Sequence, residues 1–254
     1  MDVSSALEQV AAFDGRSDIR AVIRVLMSAD CEVAEPALLD IMAADNGTRA
    51  DPFQVASRIL AERDPDRDPQ YLLRYMPDDR PIAGNSPIRR WARKVNVYPP
   101  VSACIYGLSR LRRFDPVGTY GRLLDEPFSI TRMEAASALG DTADPAALDP
   151  LAKALADPKK WVRGRALNAV HRLSHTTSAA IVLGHPIRQG LMTALADRNK
   201  KLALAVAYVL ADLGDVEAVR EYVTRNPRRR RLFAPALAGQ IPPLRPFWPG
   251  DETV

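Results

Sequence analysis

The chain has 254 residues, 47% of them hydrophobic and 26% charged, with a formal net charge of +4. That composition is ordinary for a water-soluble protein and gives room for one or two ordinary domains. No run of about 18 apolar residues occurs, which argues against a membrane span, and Cys31 and Cys104 are too few for a disulfide framework and match no zinc spacing.

The charge is unevenly spread. Residues 1–85 carry 16 acids against 9 bases, and residues 86–254 carry 15 acids against 26 bases. This asymmetry points to an acidic partner for the second part, or to attraction between the two parts. Arg outnumbers Lys by 29 to 6, which favours planar, bidentate contacts with carboxylates and phosphates. The first residues are acidic where a secretion signal needs bases, so the expected location is cytoplasmic.

Residues 1–85 read as irregular helices. A helical apolar stripe runs from Asp18 to Met27. A second helix is expected from Pro36 to Ala44, with Pro at the first helical position. A third opens at Asp51-Pro52 and places Val55, Ile59 and Leu60 on one face, and the tract 64–69 interrupts it as a polar loop. These elements are expected to be divergent repeats that cap a stack.

Regular repetition begins near Pro99-Pro100. Four segments starting at Val101, Arg132, Arg163 and Ala203 are alike at offsets of 31, 31 and 40 residues. One column holds Cys104, Ala135, Ala166 and Val206, and a second holds Ile105, Ala136, Leu167 and Ala207. A third holds Gly107, Ala138, Ala169 and Val209, and a fourth holds Leu108, Leu139, Val170 and Leu210. A period of roughly 31 to 47 residues marks stacked helix pairs, about six of which fit the chain. The fold class is therefore expected to be all-α, an α-solenoid of stacked antiparallel helix pairs. Asp115-Pro116 and Asp144-Pro145 each supply a helix cap followed by Pro. Asp157-Pro158 falls in the turn of a pair, and second helices are expected near Ile130, Val162 and Leu202. The small third column lets helices approach, so a large residue at Ala169 should overpack the contact by about 1–3 kcal/mol. The expected organisation is a cap over 1–85, a repeat region over 86–234 and a Pro-rich tail over 235–254. In that tail Leu244, Phe247 and Trp248 strap back over the last helices or dock on another protein.

The segments LADPKKWVRGRALNAVHRL and LLDEPFSITRMEAASALGD resemble HEAT repeats, especially the bacterial HEAT-like kind first noticed in phycobilin lyases. The resemblance covers roughly residues 101–220. It implies a right-handed superhelix whose second helices line a concave face. Most such proteins are adaptors that grip another protein, and a few are enzymes, among them HEAT-like alkylpurine DNA glycosylases. It also implies a ladder of turn Asp and second-helix Arg. Asp125 with Arg132 and Asp157 with Arg163 fit that pattern, and Ala203 ends it beyond Asp197.

Two basic clusters each contain a Trp: Arg89, Arg90 and Trp91 in one, and Lys159, Lys160, Trp161 and Arg165 in the other. Arg198, Lys200 and Lys201 recur one unit later. Stacking would align these into a positive ridge, in which Trp161 either anchors a ligand or packs under a turn. The expected function is a non-catalytic scaffold that binds an acidic protein through a basic, Trp-bearing concave surface made by Arg89, Arg90, Trp91, Lys159, Lys160, Trp161, Arg165 and Lys200. The alternative is a nucleic-acid binder or HEAT-like DNA glycosylase using the same surface. The run Arg228 to Arg231 suits phosphate contacts or a solvated turn. His171 and His175 share one side of a helix and could hold a metal if a carboxylate or third His joined them. Their default reading is polar residues at a helix end, and neither a metal nor another cofactor is expected. No nucleophile elbow, Gly-rich phosphate loop or protease zinc motif is present, so no catalytic residue is assigned.

Overall fold

The positions that recur along the sequence are the ones the structure buries. Cys104, Ala135, Ala166 and Val206 are each 0% exposed, and the columns through Ile105 and Leu108 are buried along their whole length. An apolar face repeated on successive helices gives each one a dry side, and removing it from water drives the packing. The computed structural model describes residues 1–14, 18–45, 50–74, 104–105, 107–109, 111 and 114–242. Among these the regular structure is entirely helical. The chain divides into two compact units, Met1–Pro116 and Val117–Val254.

The first unit contains α1 (Val3–Ala11), α2 (Arg20–Ser28), α3 (Cys31–Asp45), α4 (Ala50–Arg63) and α5 (Gln70–Leu73). Leu26, Leu38, Met42, Phe53, Ile59 and Leu72 share one core with Cys104 and Leu108. Burial pushes the Cys104 thiol well above its ordinary range, so it behaves as a small apolar side chain. Arg63 on α4 donates to the carbonyls of Leu26 and Ala29, closing the end of α2.

One boundary corrects the sequence reading. α3 starts at Cys31 and carries Pro36 inside it, rather than opening at Pro36. The stronger start signal is Asp30. Its carboxylate accepts the Glu32 amide at 2.9 Å and its carbonyl accepts the Ala34 amide at 3.0 Å, so the first turn is closed before the proline is reached. Replacing Asp30 with alanine should therefore cost about 1 kcal/mol, read as a lower urea midpoint with an unchanged slope.

The second unit is built of helix pairs. α6 (Pro116–Leu123) is followed by α7 (Ser129–Gly140), and α8 (Leu148–Ala154) by α9 (Lys160–Thr176). A short α10 (Ala179–Gly184) intervenes before α11 (Ile187–Ala194) and α12 (Lys200–Asp212), and α13 (Val216–Arg225) with α14 (Arg230–Leu237) completes the set. The second helices α7, α9, α12 and α14 pack one on the next in a row, and the first helices α8, α11 and α13 form another. This two-row stacking is the helical repeat arrangement that the periodicity predicts. The second helices begin at Ser129, Lys160 and Lys200, close to the expected starts. α10 accounts for the one offset of 40 residues. It is an inserted turn and a half of helix, capped by the Ser178 hydroxyl, which accepts the Ile181 amide.

The closest approach in the stack is between α7 and α9. A Cβ at Gly140 would lie 2.6 Å from both Cα and Cβ of Ala169 and 2.8 Å from the Arg172 guanidinium. The small residue at Ala169 thus faces a glycine, and the two backbones nearly touch. The last described helix ends at Leu237. Leu244, Phe247 and Trp248 lie outside the described residues, as do Arg89, Arg90 and Trp91. No described helix is long and apolar enough to cross a membrane.

Candidate binding face and histidine cluster

The turns that open the second helices are joined by arginines. Arg132, early in α7, donates from Nε to Asp157 Oδ2 at 2.6 Å and from Nη2 to Asp157 Oδ1 at 3.2 Å. Arg163, early in α9, repeats this on Asp197 at 2.7 and 3.0 Å. Each guanidinium also reaches its own turn. Arg132 donates to the Glu126 carbonyl at 2.7 Å, and Arg163 to the Asp157 carbonyl at 2.8 Å. Each paired Asp in addition caps its own turn: Asp157 accepts the Lys159 amide and Asp197 the Asn199 amide. The turn Asp and second-helix Arg thus form the expected ladder along the stack, each Arg pairing with the turn Asp of the next unit, while Asp125 is exposed. The Arg–Asp series ends at Asp197, where Ala203 stands in place of arginine. Arg229 takes over the connection by donating to the carbonyls of Leu195 and Asp197 at 2.9 and 3.1 Å.

The bidentate Arg163–Asp197 link and the Arg229 contacts to carbonyls set the turns at 157–161, 197–201 and 227–231 side by side. The acids in them are consumed by the arginines, and the lysines are left outward. Lys159 and Lys200 are exposed, as are Arg198 and Lys201, and Lys160 is half-buried. Arg228, Arg230 and Arg231 are exposed in the last turn. Trp161 is half-buried, with the Lys159 ammonium 5.7 Å from its ring centre, a cation–π contact that props the lysine outward. The enclosed indole N–H meets no acceptor among the described residues.

Arg165 lies elsewhere. It is 9% exposed, and burial lowers its basicity while the Glu134 carboxylate opposes that effect. Glu134 is itself raised above its usual range by burial, with Arg165 pulling it back. The helical period explains the difference. Position 165 belongs to the inner face of α9 beside Ala166 and Ala169, whereas 159–161 belong to the turn. Arg165 is thus a buried structural arginine and not part of the outward basic face. A shallow groove between the turns around Glu126 and Pro158 is lined by Asp125, Glu126, Arg132, Lys153, Asp157 and Lys159. Its mixed charges give it no preference for an anion.

At the other ends of the second helices sits a second cluster. His171 and His175 lie one turn apart on α9, and Asp212 is the last residue of α12. His171 Nε2 is 3.0 Å from Asp212 Oδ2, and His175 Nε2 is 3.1 Å from His171 Nε2 and 3.5 Å from the same carboxylate oxygen. Two residues beyond Asp212, Gly214 terminates the helix. Its φ of 87° ends α12 in the left-handed region, where the Asp215 amide closes back on the Leu210 carbonyl at 2.8 Å. The joining carboxylate was not visible in the sequence because it is 41 residues from His171. His185, the remaining histidine, stands apart, with Nε2 3.4 Å from Asp149.

Among known proteins, the family model for HEAT repeats matches residues 120–185, from α6 into the end of α10. No curated protein and no solved structure matches the chain.

Proposed function

Since the chain is a HEAT-like repeat protein, we propose that it is a non-catalytic cytoplasmic scaffold that binds an acidic protein through the outward turns of its second unit. The contact residues are Lys159, Lys160, Trp161 and Lys200, joined by Arg198, Lys201 and Arg228. The observation that carries this reading is the Arg163–Asp197 link. It neutralises the turn carboxylate and holds two lysine-bearing turns in register, so that their positive charges add along one strip. Such a strip steers an acidic partner in and sets its orientation, while the half-buried Trp161 at one of its turns gives an apolar anchor.

The test is a fluorescence-anisotropy titration with a labelled Asp/Glu-rich helical peptide and, separately, with duplex DNA, at about 50 mM and about 200 mM salt. The wild type should bind the acidic peptide, more weakly at the higher salt. The double charge reversal Lys159→Glu with Lys200→Glu should weaken it at least tenfold, about 1.4 kcal/mol. Both positions are exposed, so melting should be unaffected. Stronger binding to DNA than to the peptide, lost in the same variant, would replace this reading with nucleic-acid binding, which the exposed Arg228, Arg230 and Arg231 would then serve. Equal binding by wild type and variant would reject the strip as the site.

A further inference from the structure

The cluster at the far ends of α9 and α12 brings two imidazole nitrogens and a carboxylate oxygen within 3.5 Å of one another. We propose that His171, His175 and Asp212 form a binding site for one divalent transition-metal cation of the zinc class, coordinated by two imidazole nitrogens and one carboxylate oxygen.

The argument begins with the atoms that converge. His171 Nε2, His175 Nε2 and Asp212 Oδ2 lie 3.0, 3.1 and 3.5 Å apart. With neutral rings, no placement of protons makes all three contacts attractive. If His171 carries the Nε2 proton, the lone pair of His175 faces the carboxylate. If His175 carries it, the lone pair of His171 faces the carboxylate at 3.0 Å. If both carry it, the two N–H groups oppose each other. A single cation between them would accept a lone pair from each of the three atoms. Zinc held tetrahedrally with bonds of about 2.0–2.1 Å places its ligand atoms about 3.3 Å from one another, in the middle of the observed spread.

The surroundings agree. The carboxylate supplies one negative charge and the imidazoles two neutral donors, a set that suits zinc and its first-row neighbours over magnesium or calcium. The site lies at the C-terminal ends of two helices, α9 and α12, where the backbone dipoles favour a cation. Arg172, next to His171 in the chain, is engaged elsewhere. Arg172 donates to the Ser137 carbonyl at 2.7 Å and pairs with Asp141 at 3.0 Å, on the α7 side. The His175 side chain is 59% exposed, so a fourth position stays open to water or to a ligand from a bound partner. The bound ion would clasp the second helices of adjacent repeats at the ends opposite the Arg163–Asp197 link.

The experiment uses full-length protein without an affinity tag, stripped with a chelator and titrated calorimetrically with Zn²⁺, with thermal melts run in parallel. The expected result is one saturable equivalent per chain and a higher melting temperature with Zn²⁺. His175→Ala, at an exposed helical position, should fold normally yet bind Zn²⁺ at least tenfold more weakly and lose the melting shift. Asp212→Asn should do the same, and His185→Ala should behave as the wild type. No saturable equivalent in the wild type, or unchanged affinity in His175→Ala, would overturn the site. Because this readout needs no protein partner, it is independent of the basic strip.

Discussion

Replacing Arg163 with alanine should destabilise the second unit by about 3 kcal/mol, the low end of the range for breaking a buried ion pair. The reason is what remains behind. The Asp197 side chain is 7% exposed and that of Arg163 18%, so truncation leaves a carboxylate shielded from water with no counter-charge. The Asp157 and Pro158 carbonyls lose their donor at the same time. A Tm fall of roughly 10 °C is expected for a unit of this size, measured by circular dichroism. The double variant Arg163→Met with Asp197→Leu should recover more than half of the loss, because no buried charge is left uncompensated. It should still fall about 1 kcal/mol short of the wild type through loss of the Asp197 cap on the Asn199 amide. Full wild-type stability in the single variant would mean that the link contributes nothing to holding the turns together.

Gly140→Val should be of comparable severity for a different reason. Its first side-chain carbon would fall 2.6 Å from the Cα of Ala169, and a backbone atom cannot move aside by changing rotamer. α7 and α9 must separate, which costs about 3 kcal/mol or more through lost packing along both helices, the upper end of the overpacking range. Gly107→Ala is the instructive comparison. There the added carbon would meet the Leu72 Cδ1 at 2.7 Å, the mobile end of a side chain, and the cost should be about 1 kcal/mol or less. Chemical denaturation of both variants separates the two cases. An equal loss would show that helix separation, not side-chain rearrangement, sets the cost at both glycines.

Much of the fold could be read from the sequence because the repeat signal and the burial signal coincide. The columns through Cys104, Ile105 and Leu108 follow the helical period, so aligning the repeats found the dry face directly. The misreadings have local causes. Pro36 drew attention as a helix start, yet Asp30 had already closed the turn. The ladder of turn Asp and second-helix Arg is legible in the sequence, but which Asp each Arg meets is not. A carboxylate that caps its own helix turns its second oxygen outward, and there the arginine of the preceding unit meets it. Arg165 sits four residues past the turn at 157–161, and a short charged motif does not show that the helix carries its last member inward. Asp212, the last residue of α12, meets His171 and His175 across the intervening α10 and α11. Neighbouring turns can be inferred from a period; partners brought together across an inserted helix cannot.

The most direct measurement of the central claim is hydrogen–deuterium exchange on the full chain with and without saturating acidic peptide. The account predicts that the turns at 157–161 and 197–201 gain protection together, at the same peptide concentration, because one ligand lies across both. Protection confined to a single turn, or to helices away from these turns, would contradict it.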